Sequence, residues 1–154
     1  MRVVVESVLP CPAERAWDEV CTSRLLCEVA APVMTFRPVD GDELPEVWPE
    51  GRAVTVRCKL FGVLPIGGVH SILLERIDPE AREIQSRESD PLIRRWDHLI
   101  SIEDLPDGRC LYRDEIDIEA GPLTAAVWLF AQGFYRHRQR RWQRVARRLA
   151  AACA

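Results

Sequence analysis

The closing stretch, Gly121 to Ala152, constrains the fold more than any other part of the chain. A Gly-Pro pair opens it, Ala-rich sequence follows, and Gly133 is its only further glycine, with no second proline. Pro122 suits the first turn of a helix, where a missing N–H costs nothing. The pattern predicts a helix over about 122–151, roughly 45 Å long at 1.5 Å per residue. What precedes it reads mainly as strands. A helix of that length laid across a sheet leaves an apolar gap between the two layers, so the first expectation is a domain that holds a ligand.

The order of the earlier elements supports this. Val3–Leu9 is β-branched and ends at Pro10, which predicts a first strand. Pro12-Ala13-Glu14-Arg15-Ala16-Trp17 reads as a helix start, and Thr22-Ser23 offers a cap for a second short helix running to about Glu28. A weak strand follows near Met34–Val39. Arg52–Phe61 alternates, with Val54, Val56, Cys58 and Leu60 on one face. Gly62–Gly68, holding Pro65 and two adjacent glycines, is expected to be a connection. Val69–Ile77 is a strand, Arg82–Glu88 is polar enough to suggest an edge strand, and Leu92–Glu103 and Cys110–Glu119 flank a Leu105-Pro106-Asp107-Gly108 turn. Connections this short require an antiparallel sheet. The expected fold is α+β: a single domain over residues 1–154 with a curved antiparallel sheet of about six to seven strands, two short helices after the first strand, and a long terminal helix covering the concave face.

Charge divides along the same line. The chain carries −3 overall, and the residues from Pro122 onward hold seven arginines and no acid, which leaves −10 for the rest. Six cysteines, Cys11, Cys21, Cys27, Cys58, Cys110 and Cys153, form no C-x-x-C pair, and none pairs with another beside a histidine, so reduced thiols are expected. No basic n-region with an apolar core opens the chain, and no apolar run nears membrane-spanning length, which points to the cytoplasm. There is no Gly-rich nucleotide loop, no nucleophile elbow and no H-E-x-x-H, and the three histidines are scattered. No metal and no cofactor are expected.

The chain resembles the START-like, helix-grip superfamily often called SRPBCC, which includes polyketide cyclases, lipid-transfer domains and relatives of birch-pollen allergens. The residues that carry the resemblance are Val3-Val4-Val5-Glu6-Ser7 followed by Pro12-Ala13-Glu14-Arg15-Ala16-Trp17. Trp96-Asp97-His98, Tyr112-Arg113-Asp114, and Pro122-Leu123 with Tyr135 and Arg138 resemble its ligand-binding subfamily. The likeness spans essentially the whole chain as an order of elements. It implies a deep apolar cavity beneath the long helix and no single activity.

Alternation identifies the side chains that should face that cavity. The even positions of Leu92–Glu103 and Cys110–Glu119 point inward, which places three polar groups, His98, Tyr112 and Asp114, on apolar faces. If Ile102 pairs with Cys110, His98 lies directly opposite Asp114. One reading makes these two a mutually satisfied structural pair. The other has them meet a ligand's polar group or move a proton, with Tyr112 a third catalytic candidate. His70 is a weaker candidate, because its strand is apolar on both faces. On the long helix, 100° spacing gathers Leu123, Val127, Phe130, Phe134, Val145 and Leu149 into one stripe with Arg138 near its centre. Arg138 must then find an acid such as Asp114 or Asp117, an exit to water, or an anionic ligand group.

The expected ligand wall is Val54, Val56, Ile72, Leu74, Trp96 and Ile116 from the sheet and Phe130 and Phe134 from the helix, with His98, Tyr112, Asp114 and Arg138 as its polar points. The partner would be a hydrophobic small molecule. Nucleic acid is not expected, since no aromatic series interleaves the arginines and the isoelectric point is acidic. Two rival readings remain: a cyclase or dehydratase using His98 and Asp114 as acid and base, and an interaction module whose solvent-side Arg136, Arg140 and Arg144 meet an anionic membrane surface. A monomer or weak homodimer is expected.

Overall fold

The computed structural model describes residues 1–41 and 43–151. In chain order they form β1 (Arg2–Leu9), α1 (Ala13–Val20), α2 (Ser23–Ala30), β2 (Met34–Pro38), β3 (Ala53–Leu60), β4 (Leu64–Asp78), β5 (Glu83–Ser89), β6 (Arg95–Asp104), β7 (Cys110–Glu119) and α3 (Thr124–Ala151). A single 3-10 turn, Gly121–Leu123, leads into α3. Thr124 Oγ1 fixes this junction, accepting from Ala120 N at 2.9 Å and donating to Gly121 O at 2.7 Å. Thr22 caps α2 as its sequence position suggests, its hydroxyl accepting from Leu25 N. Cys153 lies outside the described residues.

The seven strands make one sheet in the order β1-β7-β6-β5-β4-β3-β2, antiparallel throughout. Strands β2 to β7 form a meander. Strand β1 lies beside β7 at the far edge, and α1 and α2 carry the chain across to β2. The helix α3 runs along β1 and hydrogen-bonds its carbonyls: Trp128 Nε1 donates to Arg2 O, Gln139 Nε2 to Val5 O and Gln143 Nε2 to Val8 O. Near α2, His137 Nε2 bonds Ala31 O at 2.8 Å and Arg141 Nε donates to Glu28 O at 2.8 Å.

Three local expectations are corrected. The Gly62–Gly68 stretch is not wholly a connection: the turn is confined to 61–63, and β4 already begins at Leu64. Gly67 and Gly68, both at positive φ, form a bulge that resets the pairing between Arg57 and Cys58. β5 is not an edge strand but lies between β4 and β6. Its outward Arg87 is paired with Glu75 and Asp97, and its inward Ser86 and Glu88 face a cavity, so its polarity has another cause than an edge. The β6–β7 register differs by two residues, with Ile102 opposite Tyr112 and His98 opposite Ile116. β6 extends to Asp104, and Leu105 N bonds Arg109 O across a tighter loop with Gly108 at φ +75°. Because the side-chain period is two, this slip leaves every inward residue inward.

The core divides along α3. Trp142, Val145 and Ala146 of its C-terminal half pack with Leu9, Cys11, Ala13 and Ala16 in the larger apolar cluster. Ala131, Phe134 and Tyr135 of its N-terminal half join Val3, Trp96, Ile116 and Ile118 in a second one. Among the described residues no helix is long and apolar enough to cross a membrane.

Candidate functional site

Between the N-terminal half of α3 and the inner face of β3 to β6 lies a cavity of about 350 Å³. Its apolar wall includes Ile72, Leu74, Trp96, Phe130 and Phe134, all anticipated from the sequence. Leu92, Leu123 and Ala126 line it while being exposed, which marks where it reaches the surface. Val54, Val56 and Ile116 do not form its wall. Val54 and Val56 pack in the larger apolar cluster and Ile116 in the smaller one.

The polar groups fall into two sets. In the first, Asp114 is 1% exposed and accepts three hydrogen bonds: from His98 Nε2 at 2.8 Å and Tyr112 Oη at 3.1 Å on Oδ1, and from Gln139 Nε2 at 3.0 Å on Oδ2. Burial alone would raise its pKa. The His98 bond, the positive charge of Arg138 and the Gln139 amide outweigh that and hold the carboxyl below its usual range. Trp96 Nε1 donates to Tyr135 Oη at 3.1 Å, and that hydroxyl faces His98 Nδ1 at 3.4 Å. An ionised Asp114 takes the Nε2 proton bond, which fixes the orientation of the ring. Burial pushes the Tyr112 and Tyr135 hydroxyls upward, keeping both as phenols.

His98 and Asp114 thus meet diagonally rather than directly opposite, a reach that adjacent strands permit. Only His98 of this pair lines the cavity. Tyr112 and Asp114 stand behind it, on β7, and reach the cavity through the imidazole.

The second set was underrated by sequence reasoning. His70, on β4, is held between two carboxylates, Nδ1 to Asp90 Oδ2 at 3.1 Å and Nε2 to Glu88 Oε2 at 3.0 Å. Ser86 Oγ donates to Glu88 Oε1 at 2.8 Å, and Asp90 Oδ1 accepts from the backbone N–H groups of Leu92 and Ile93. Burial works against a charged His70, yet the bonds and charges of Glu88 and Asp90 prevail and its pKa is raised. Glu88 is likewise lowered, burial being outweighed by the bond and charge of His70. Gly67 permits the approach, because a Cβ there would collide with the Asp90 carboxylate. The Gly-Gly pair was the one sequence signal for this site. Glu88 and Asp90 carried none, since a polar strand and an Asp-Pro turn have ordinary explanations.

Arg138 lies between the sets, 8% exposed and on the cavity wall. It forms no ion pair with Asp114 or Asp117; its guanidinium carbon sits 4.8 Å from the Tyr135 ring centroid and 5.9 Å from that of Phe134. Burial disfavours its charge, but the surroundings, Tyr135 and Asp114 foremost, keep it a guanidinium. Cys58 also lines the cavity; burial first, then Glu88 and Asp90, push its thiol up to about 12, so it supplies no thiolate. Among the described residues no three histidine, cysteine or carboxylate side chains are grouped to hold a metal.

A family model described as a domain of unknown function, DUF8410, matches residues 7–146. This chain belongs to the DUF8410 family. No curated protein matches the DUF8410 chain in sequence. In structure it is similar to a START superfamily protein from Mycobacterium smegmatis, with 15% identity, 96% of this chain and 98% of that one covered, and a TM-score of 0.67. It is also similar to norcoclaurine synthase from Thalictrum flavum in complex with dopamine and hydroxybenzaldehyde, with 10% identity, 94% and 85% covered, and a TM-score of 0.68. A third likeness is to Ara h 8.0201, with 14% identity, 90% and 94% covered, and a TM-score of 0.60. At these identities the likeness is one of fold. The DUF8410 chain has the START-like helix-grip fold, as the order of its elements suggested.

Proposed function

We propose that this DUF8410 protein binds a hydrophobic small molecule, a lipid, polyketide or similar compound, in the cavity under α3. The observation that carries the reading is a hollow of about 350 Å³ walled by apolar side chains where a packed core would otherwise be. Burying apolar ligand surface there yields about 25 cal/mol per Å², enough for useful affinity without chemistry.

Native mass spectrometry of the purified protein, with solvent extraction, should show a one-to-one apolar adduct. Ala126→Trp, which fills the cavity from its exposed rim, should remove the adduct while leaving the far-UV spectrum unchanged. An adduct that survives this substitution, or no adduct and no thermal shift with medium-chain alcohols, would end the proposal.

One observation favours a second reading, proton transfer of the cyclase or dehydratase kind. His98 lines the cavity with Nε2 fixed by Asp114 and Nδ1 held only by a 3.4 Å contact to Tyr135 Oη. In that case His98→Gln would stop conversion of the bound compound and leave its affinity intact. Loss of affinity without any conversion by the wild type would leave binding alone.

A further inference from the structure

Arg138 stands apart from the other polar groups of the cavity. Glu88 has both oxygens engaged, by Ser86 and His70. Asp90 is held by His70 and two backbone N–H groups. Both nitrogens of His70 and of His98 have partners. Arg138 alone among the charged and imidazole side chains of the described wall forms no hydrogen bond or ion pair with the protein, and its Nε is buried with no acceptor. The guanidinium carbon lies over the rings of Tyr135 and Phe134. A ring supplies no oxygen acceptor for the N–H edge, and a buried donor left without one, as Nε is, is costly. What satisfies that edge best is a planar anion with two oxygens.

Resting on the reading of the cavity as a binding site, we propose that its ligand is a carboxylic acid. Its carboxylate would lie against the Arg138 fork and its apolar body along Ile72, Leu74, Trp96 and Phe130. The cavity acids do not take this role: Glu88 and Asp90 both pair with His70, and neither forms an ion pair with Arg138.

The test compares decanoate with decan-1-ol by isothermal titration calorimetry. They share an apolar chain, and an apolar pocket without a cation would favour the alcohol. Wild-type protein should bind decanoate at least about 10-fold tighter than decan-1-ol. Arg138→Gln should weaken decanoate about 10- to 100-fold and reverse the order, while decan-1-ol changes little. Arg138→Lys, which keeps charge but not the planar fork, should lose part of the preference; it replaces the Gln variant if that one fails to fold. Arg140→Gln, exposed on the opposite face, should behave as wild type. Equal binding of the two probes, or a preference that outlives Arg138→Gln, overturns the carboxylate and leaves the cavity reading standing. Binding of neither probe overturns both.

Discussion

The two halves of α3 carry similar large apolar side chains and meet opposite surroundings. Trp142 and Val145, at 2% and 3% exposure, sit in a filled core supplied by β1, α1 and β7. Phe130 and Phe134 stack on each other, centroids 5.6 Å apart, and look onto a hollow. The difference lies in what opposes them. The C-terminal half is closed on by β1 and α2, Gln143 Nε2 donating to Val8 O and Arg141 Nε to Glu28 O. The N-terminal half overhangs β3 to β6, whose inner face mixes Ile72 and Leu74 with His70, Ser86 and Glu88. Apolar surface without an apolar partner in the chain is surface kept for something else.

The sharpest way to break this contrast is a pair of truncations. Trp142→Ala should cost about 3–5 kcal/mol in denaturant unfolding, as large-to-small changes in filled cores do. Phe130→Ala, half-buried and beside empty space, should cost less than about 1.5 kcal/mol and weaken ligand binding instead. Equal losses of stability would mean that the hollow is packed in solution.

Asp114→Asn should follow in size, at about 1–3 kcal/mol, by exchanging an acceptor for a donor that faces Tyr112, His98 and Gln139. Since Asp114 reaches the cavity only through His98, the variant should also disturb binding. Lost stability with unchanged affinity would assign the pair a purely structural role.

The smallest effect is a pH dependence from the His70 cluster. Folding raises the pKa of His70, so its contribution is complete below its ordinary 6.5 and fades as pH climbs through the higher folded value. Folding lowers the pKa of Glu88, so its contribution is complete above its ordinary 4.5 and fades as pH falls through the lower folded value. The cluster is therefore at full strength between these two ordinary values. Thermal melts should show a shallower alkaline decline in His70→Gln than in wild type. Parallel declines would show that His70 does not carry the dependence.

Much of this was legible in the sequence because it depends on period alone. Helical spacing put Arg138 on the inward stripe, and strand alternation put His98 and Asp114 on the inner face despite a two-residue error in pairing. The His70 site was not legible, for a physical reason. Its three members come from two strands and a turn, and the Gly67–Gly68 bulge interrupts the alternation that would have aligned them. The fate of Arg138 was not legible either. Period says which way a side chain points, but not whether an acid waits within 4 Å.

The place of β1 has a kinetic consequence. Its partner β7 lies more than a hundred residues downstream, and the Met1 amine donates to Ile118 O. The β2–β7 meander closes through short loops, whereas β1 must wait for the far end of the chain and then for α3 to lie along it. During synthesis the opening strand therefore remains an unpaired β-branched segment until β7, about a hundred residues later, has emerged. Residues of α3 line the cavity, so an emerging chain has no enclosed cavity until that helix has followed and lies over the sheet.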